Sequence, residues 1–201
     1  MFVILYNPGA GGHMVSSVID NTDYTMNISP KNPKLSDIKL VHESVRRQLQ
    51  RVSGASGVDN LPKKLELLDH CQTIYKSIAL HDISLFFDDY TTGSKMPQFD
   101  YIVIDDSEYF ELTTKRTLDI TVNKFGYLKV HSILLDEDFL KTRKKWLSKE
   151  FLSSRGIDKI IPFKEILNGN LIEILKQWTD EPLNEELYHT WLSKVKEYFL
   201  A

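Results

Sequence analysis

Only one cysteine, Cys71, occurs among the 201 residues. No intrachain disulfide can form, and no thiolate metal cluster can be assembled within one copy of the chain. Such usage fits a reducing, cytoplasmic setting. A strong charge of either sign is missing too: 25 Lys and Arg against 28 Asp and Glu leave a formal net charge of −3. No general attraction to nucleic acid or to anionic membranes is therefore expected, and any anion site must be local. Long hydrophobic runs are absent as well. The apolar FVILY at residues 2–6 has no basic flank and meets Asn7-Pro8-Gly9 too soon for a signal peptide or a membrane span. Gly-Lys-Ser/Thr, the core of the kinase and ATPase phosphate loop, occurs nowhere. Internal repeats, coiled-coil heptads and low-complexity tracts are lacking.

What is present suits one well-buried α/β core: hydrophobic residues make up 42% of the chain, and a single domain over residues 1–201 is expected. Phe2 to Tyr6, short and continuously apolar, reads as a central parallel strand covered on both faces. Val15, Val18 and Ile19 are spaced for one face of a helix over Met14 to Ile19. Pro30 and Pro33 mark a surface loop from Asn21 to Lys34. Ser36 then N-caps a helix to about Val52, and a glycine-containing break precedes a second helix over Leu61 to Tyr75. Together these form a helical insertion at about residues 35–75.

Further strands are expected at Lys76 to Asp82, Tyr101 to Ile104 and Asp158 to Phe163, where Pro162 demands an edge or strand-end position. Helices are expected at Glu108 to Lys124, Phe139 to Leu152, Leu171 to Trp178 and Asn184 to Phe199. Strands alternating with helices predict a three-layer α/β/α sandwich around a mostly parallel sheet, with ligands outside the carboxyl ends of the strands.

Three polar strand ends would meet there. The first is the glycine loop, Pro8-Gly9-Ala10-Gly11-Gly12-His13-Met14, between the first strand and the first helix. Glycines let the backbone take positive φ and turn N–H groups inward, while the first helical turn adds unpaired donors and the positive end of its dipole. A phosphate or sulfate group fits such a cradle. His13 either binds the same anion or fills space. The second strand end is His81-Asp82. His81 faces the expected site and titrates near neutrality, so it is a candidate general base for an acceptor hydroxyl; a locally hydrogen-bonded loop histidine is the plainer alternative. The third is Asp105-Asp106-Ser107. A strand ending in an aspartate also has the form that presents a magnesium ligand, so ATP with magnesium held at Asp105 is an alternative, as is a simple helix cap. Trp146, Trp178 and Trp191 read as core residues, residues 141–145 as a solvated basic helix face, and Cys71 as buried filler.

The segment from Asn7 to Met14 resembles the phosphosulfate-binding loop of the sulfotransferase family, a branch of the P-loop fold whose first strand ends in Pro-Lys-Ser-Gly-Thr-Thr and an apolar residue. Pro8, Gly11 and Met14 match in kind; the family's lysine falls on Gly9, its serine on Ala10, and its threonines on Gly12 and His13. Phe163-Lys164-Glu165-Ile166 stands where the family has Tyr-Glu-Asp-Leu, and the tail through Leu192 is similar to the family's closing helices. The layout looks especially like the small sulfotransferase-like proteins of bacteriophages and marine microbes. The resemblance implies a P-loop fold, a nucleotide as partner, and 3′-phosphoadenosine 5′-phosphosulfate as sulfuryl donor. The family's arginine for the 3′-phosphate has no match at Asp105-Asp106-Ser107, which leaves that role to Lys115, Arg116, Arg143 or Lys144-Lys145. A non-catalytic protein that kept the fold, with or without an anion pocket, and acts as a binding or interaction module is the alternative from another class.

Overall fold

The computed structural model describes residues 1–7, 9–21, 25–29, 32–39, 76–81, 99–115, 141 and 144–199. In chain order these form β1 (Phe2–Tyr6), α1 (Gly12–Asp20), β2 (Thr25–Ser29), β3 (Asn32–Lys39), β4 (Ser77–His81) and β5 (Asp100–Asp105). A 3-10 turn (Ser107–Tyr109) runs into helical residues 110–115. Then follow α2 (Lys149–Ser154), β6 (Lys159–Pro162), α3 (Phe163–Asn168), α4 (Leu171–Leu175) and α5 (Glu185–Phe199).

Four strands pair in the order β4-β1-β5-β6, every pair parallel. Parallel strands need both faces covered, and alternate side chains divide the core accordingly. Ile4, Tyr6, Ala79, Ile102, Ile104 and Ile161 face one layer, which contains α1, α3, α4 and α5. Val3, Leu5, Ile78, Tyr101 and Val103 face the other, where Phe110, Trp146, Leu147, Leu152 and Ile157 pack. The result is the expected three-layer α/β/α arrangement. Pro162 ends β6, which has one partner among the described strands, in keeping with the edge or strand-end position expected for it.

Strand order reverses beside β1. The chain leaves β1 for β4 on one side, returns past β1 to β5, and steps outward to β6. Right-handed crossovers made in opposite directions put their helices on opposite faces, which matches α1 in one layer and residues 110–115 with α2 in the other.

Two elements differ from the sequence expectation. Residues expected as a surface loop and the start of a helix instead form the antiparallel hairpin β2–β3, in which Met26 is directly opposite Ile38 and Ile28 opposite Ser36. Pro30 lies outside the described residues, and Pro33 lies in β3, which has β2 as its one partner among the described strands, a position that tolerates proline. The ribbon runs beside α5. The rest of the expected helical insertion, residues 40–75 with Cys71, lies outside the described residues. Secondly, the helix expected through Leu152 breaks at Leu147-Ser148, where the Ser148 hydroxyl accepts the Phe151 N–H at 3.3 Å and starts α2 anew. Serine competes with the helical backbone for local hydrogen bonds, and the cap prevails over continuation.

The C-terminal helix braces α1 along its length. Asn184 donates its N–H to the Val18 carbonyl at 3.0 Å, and its side chain caps α5 by accepting the Leu187 N–H at 3.0 Å. One turn on, the buried Tyr188 hydroxyl donates to the Ile166 carbonyl at 2.6 Å, joining α5 to α3. Burial pushes the Tyr188 hydroxyl above its ordinary pKa, and the backbone at Leu171 and Gly169 pulls it partly back. Because the folded value is raised, the hydroxyl's contribution to stability is complete below the unfolded value of about 10 and is lost as pH rises through the folded value. Tyr188→Phe should leave the Ile166 carbonyl without this donor and cost about 1–3 kcal/mol in urea unfolding at neutral pH, while removing part of the alkaline loss of stability.

Candidate functional site

The segment after β1 turns sharply. The Ala10 N–H donates to the Asn7 carbonyl at 3.0 Å, Gly9 and Gly11 take positive φ of 91° and 79°, and α1 begins at Gly12. Left-handed backbone at Gly11 is costly for any residue with a Cβ, and Gly11 is also the N-cap. It therefore offers no side-chain cap, and the first turn of α1 holds no acidic residue. The N–H groups of Gly12, His13 and Met14 precede the first intrahelical bond, which runs from the Val15 N–H to the Gly11 carbonyl at 3.1 Å. The positive end of a nine-residue helix is thus left without a carboxylate of its own.

Packing from below explains why this turn is glycine-rich. A methyl group at Gly12 would overlap the Tyr6 ring, and one at Gly11 would lie 3.0 Å from Cζ2 of the fully buried Trp191. Tyr6 also meets the His13 ring edge-on, with centroids 5.2 Å apart. His13 and Met14 are buried, whereas Gly9 and Gly11 are partly exposed. Gly11 and Gly12 are seated on aromatic rings, and Gly9 and Gly11 keep partial exposure.

Strand register gathers the polar ends on one edge. Tyr6 is paired with His81 across β1 and β4, so the backbone of the candidate base stands beside the start of the loop. On the other side, β5 delivers Asp105 and Asp106, which serve different purposes. Asp105 is half-buried and accepts the Ser107 N–H at 2.9 Å. Asp106 is fully buried: Oδ1 accepts the Asn7 side-chain amide at 2.7 Å and Oδ2 accepts the Thr113 hydroxyl at 2.8 Å. Pro8 and Asp82 lie outside the described residues. Among the described residues no group of three or more metal-ligating side chains forms.

Of the basic residues considered for a 3′-phosphate, Lys115, Lys144 and Lys145 are exposed, and Arg116 and Arg143 lie outside the described residues. Trp146 and Trp191 are buried core residues, and Trp178 packs at the rim of the same core as Trp191. Asn7 and Thr113, which hold Asp106 from either side, stand beyond the residues expected from the sequence to form the site. Thr113 stands seven positions after Asp106, in the helical residues that follow the 3-10 turn, and only the fold of that turn brings its hydroxyl to the carboxylate. No helix among the described residues is long and apolar enough to cross a membrane.

Comparison of the chain with protein-family models, curated proteins and solved structures returned no match.

Gly12→Ala should distort the contact between α1 and β1 and destabilise the fold by about 1–3 kcal/mol through overpacking against Tyr6, read as a lower midpoint in urea unfolding.

Proposed function

We propose that the chain is a sulfotransferase-like transferase whose glycine loop, residues 8–14, holds the phosphate or sulfate group of a nucleotide. One observation carries this reading: the N-terminus of α1 has neither a side-chain cap nor an acid in its first turn, and it follows two left-handed glycines. It also lies where the strand order reverses, the usual ligand position in open parallel sheets. Backbone amides and a helix dipole then do what a cation does elsewhere.

In-line transfer of a sulfuryl group depends on positioning and on stabilising charge that builds on the equatorial oxygens. With Gly9 and Ala10 at the positions of the family's lysine and serine, that stabilisation falls to the amides of residues 11–14. His81, at the end of β4, takes the proton from the acceptor hydroxyl as the S–O bond to the donor breaks and the bond to the acceptor forms. The donor implied by the resemblance is 3′-phosphoadenosine 5′-phosphosulfate. ATP with magnesium at Asp105 is the competing ligand; Asp105 Oδ1 also accepts the Ser107 N–H. A second reading, a non-catalytic binding or interaction module, is favoured by the absence of lysine from the loop and by the aromatic packing that accounts for Gly11 and Gly12 without a ligand.

Titration of the nitrogen-labelled chain with adenosine 3′,5′-bisphosphate, with ATP plus magnesium, and with sulfate separates these readings. The amide resonances of Gly11, Gly12 and Met14 should move and saturate with the bisphosphate. If none of the three probes moves them, the loop is not an anion site. In an active preparation, His81→Ala should lower transfer to a hydroxyl acceptor by about a hundredfold with unchanged nucleotide affinity, as expected for loss of a general base. An unchanged rate would remove His81 from the mechanism.

A further inference from the structure

The loop's shape is set by more than its glycines. Asn7, the last described residue before the turn, is 3% exposed, and its main-chain carbonyl accepts the Ala10 N–H that closes the turn. Its side-chain amide reaches across to β5 and donates to Asp106 Oδ1 at 2.7 Å. The second oxygen of the same carboxylate accepts the Thr113 hydroxyl at 2.8 Å, and the Asp106 main-chain carbonyl accepts the Tyr109 N–H at 2.8 Å. Thr113 Oγ1 also lies 3.1 Å from the Tyr109 carbonyl and 3.3 Å from that of Phe110, so the hydroxyl is held against the turn that follows β5. A continuous path of short hydrogen bonds runs from Thr113 through Asp106 to Asn7 and into the loop.

We propose that Asp106 is the positioning residue of the glycine loop: it fixes Asn7 from the neighbouring strand, aided by Thr113, and thereby sets the direction of the loop amides. This rests on the reading of the loop as an anion site. Asp106 touches no ligand in this role. Both of its oxygens are committed inside the protein, and its exposure is 0%. Hydrogen bonds to a carboxylate are shorter and stronger than those between neutral groups, and a buried one that loses a partner is costly, so the angle of Asn7 is held tightly. The carboxylate also joins the two strands between which the order reverses, β1 and β5. The crevice and the cradle are therefore aligned by one side chain.

The polarity of the pair gives the test. Asn7→Asp sets two carboxylates against each other. Asn7→Asp combined with Asp106→Asn restores a donor and an acceptor in reversed order, and Asn at position 106 can still accept from Thr113 through its own oxygen. The full-length chain in each form is compared by circular dichroism, by the amide resonances of Gly9, Ala10 and Gly11 without ligand, and by calorimetry with adenosine 3′,5′-bisphosphate. Asn7→Asp should displace those resonances and weaken binding by about tenfold or more, and the reversed pair should return both to within about threefold of the wild-type values. Should Asn7→Asp fail to fold, the reversed pair alone decides, by wild-type-like loop resonances. A folded Asn7→Asp with unmoved loop resonances, or a folded reversed pair that leaves them displaced, overturns the proposal. If the wild-type chain binds none of the probes, the anion-site reading fails, and the ligand-free resonances still test the positioning role.

Discussion

Residue 12 has no side chain, and the first twenty residues depend on it. The first turn of α1 passes so close to the Tyr6 ring that a methyl group would overlap it, and this approach brings the helix axis down onto the strand it follows. Every residue of α1 from Gly12 to Ile19 is buried. Met14, Val15, Val18 and Ile19 supply its apolar surface to the core, and the polar His13, Ser16 and Ser17 are buried with them. Trp191 of α5 closes the same contact from the other side, against Gly11. Loop shape, helix placement and C-terminal bracing are therefore one packing problem.

Buried polar groups tie this unit to its neighbours at both ends of the sheet. Near the amino ends of the strands, the Asp20 carboxylate accepts the Ser77 N–H at 2.7 Å and the Ser77 hydroxyl at 3.1 Å, while the Ser16 and Ser77 hydroxyls lie 2.9 Å apart. The carboxyl ends are joined by Asn7, Asp106 and Thr113. Each such bond adds only about 1 kcal/mol net, but leaving its buried partner unsatisfied costs more, so these clamps select one register among many compact alternatives. The first holds α1 to β4 and the second holds β1 to β5. Between them the apolar core supplies the driving force, and the exposed pairs Lys76–Glu181 and Lys176–Glu185 are peripheral to it. Lys176, through its hydrogen bond and its charge, does hold the Glu185 carboxyl below its usual range at the start of α5.

In the proposed reading, main chain replaces side chain as the anion's partner. Amides at a helix N-terminus are fixed by the fold, so their usefulness depends on how rigidly the preceding turn is held. The aromatic floor of Tyr6 and Trp191 and the lateral hold of Asp106 on Asn7 supply that rigidity from three different strands and helices. This is a different solution from a mobile lysine, whose charge can follow the group in flight.

Local pattern made much of the fold legible. Apolar runs bounded by polar residues marked β1, β4, β5 and β6, and the glycine run announced the turn before α1, because period and turn chemistry are properties of neighbouring residues. The hairpin β2–β3 is not legible because proline is read as a strand breaker, which holds for central strands and not for strands with a single partner among the described residues. Ser148 escaped because helical spacing continues across it while its hydroxyl caps a new helix. For the site, Gly9, Gly11 and Gly12 were visible as a loop, and Asp105-Asp106 as a polar strand end. Which aspartate turns inward, which rings lie beneath the glycines, and which strand stands beside β1 are relations between residues up to 180 positions apart, as with Gly11 and Trp191. Sequence by itself determined the elements and the turn; only the tertiary structure decided that Asp106 is a buried clamp and that a C-terminal tryptophan supports an N-terminal loop, because burial and pairing exist only once distant segments share one core.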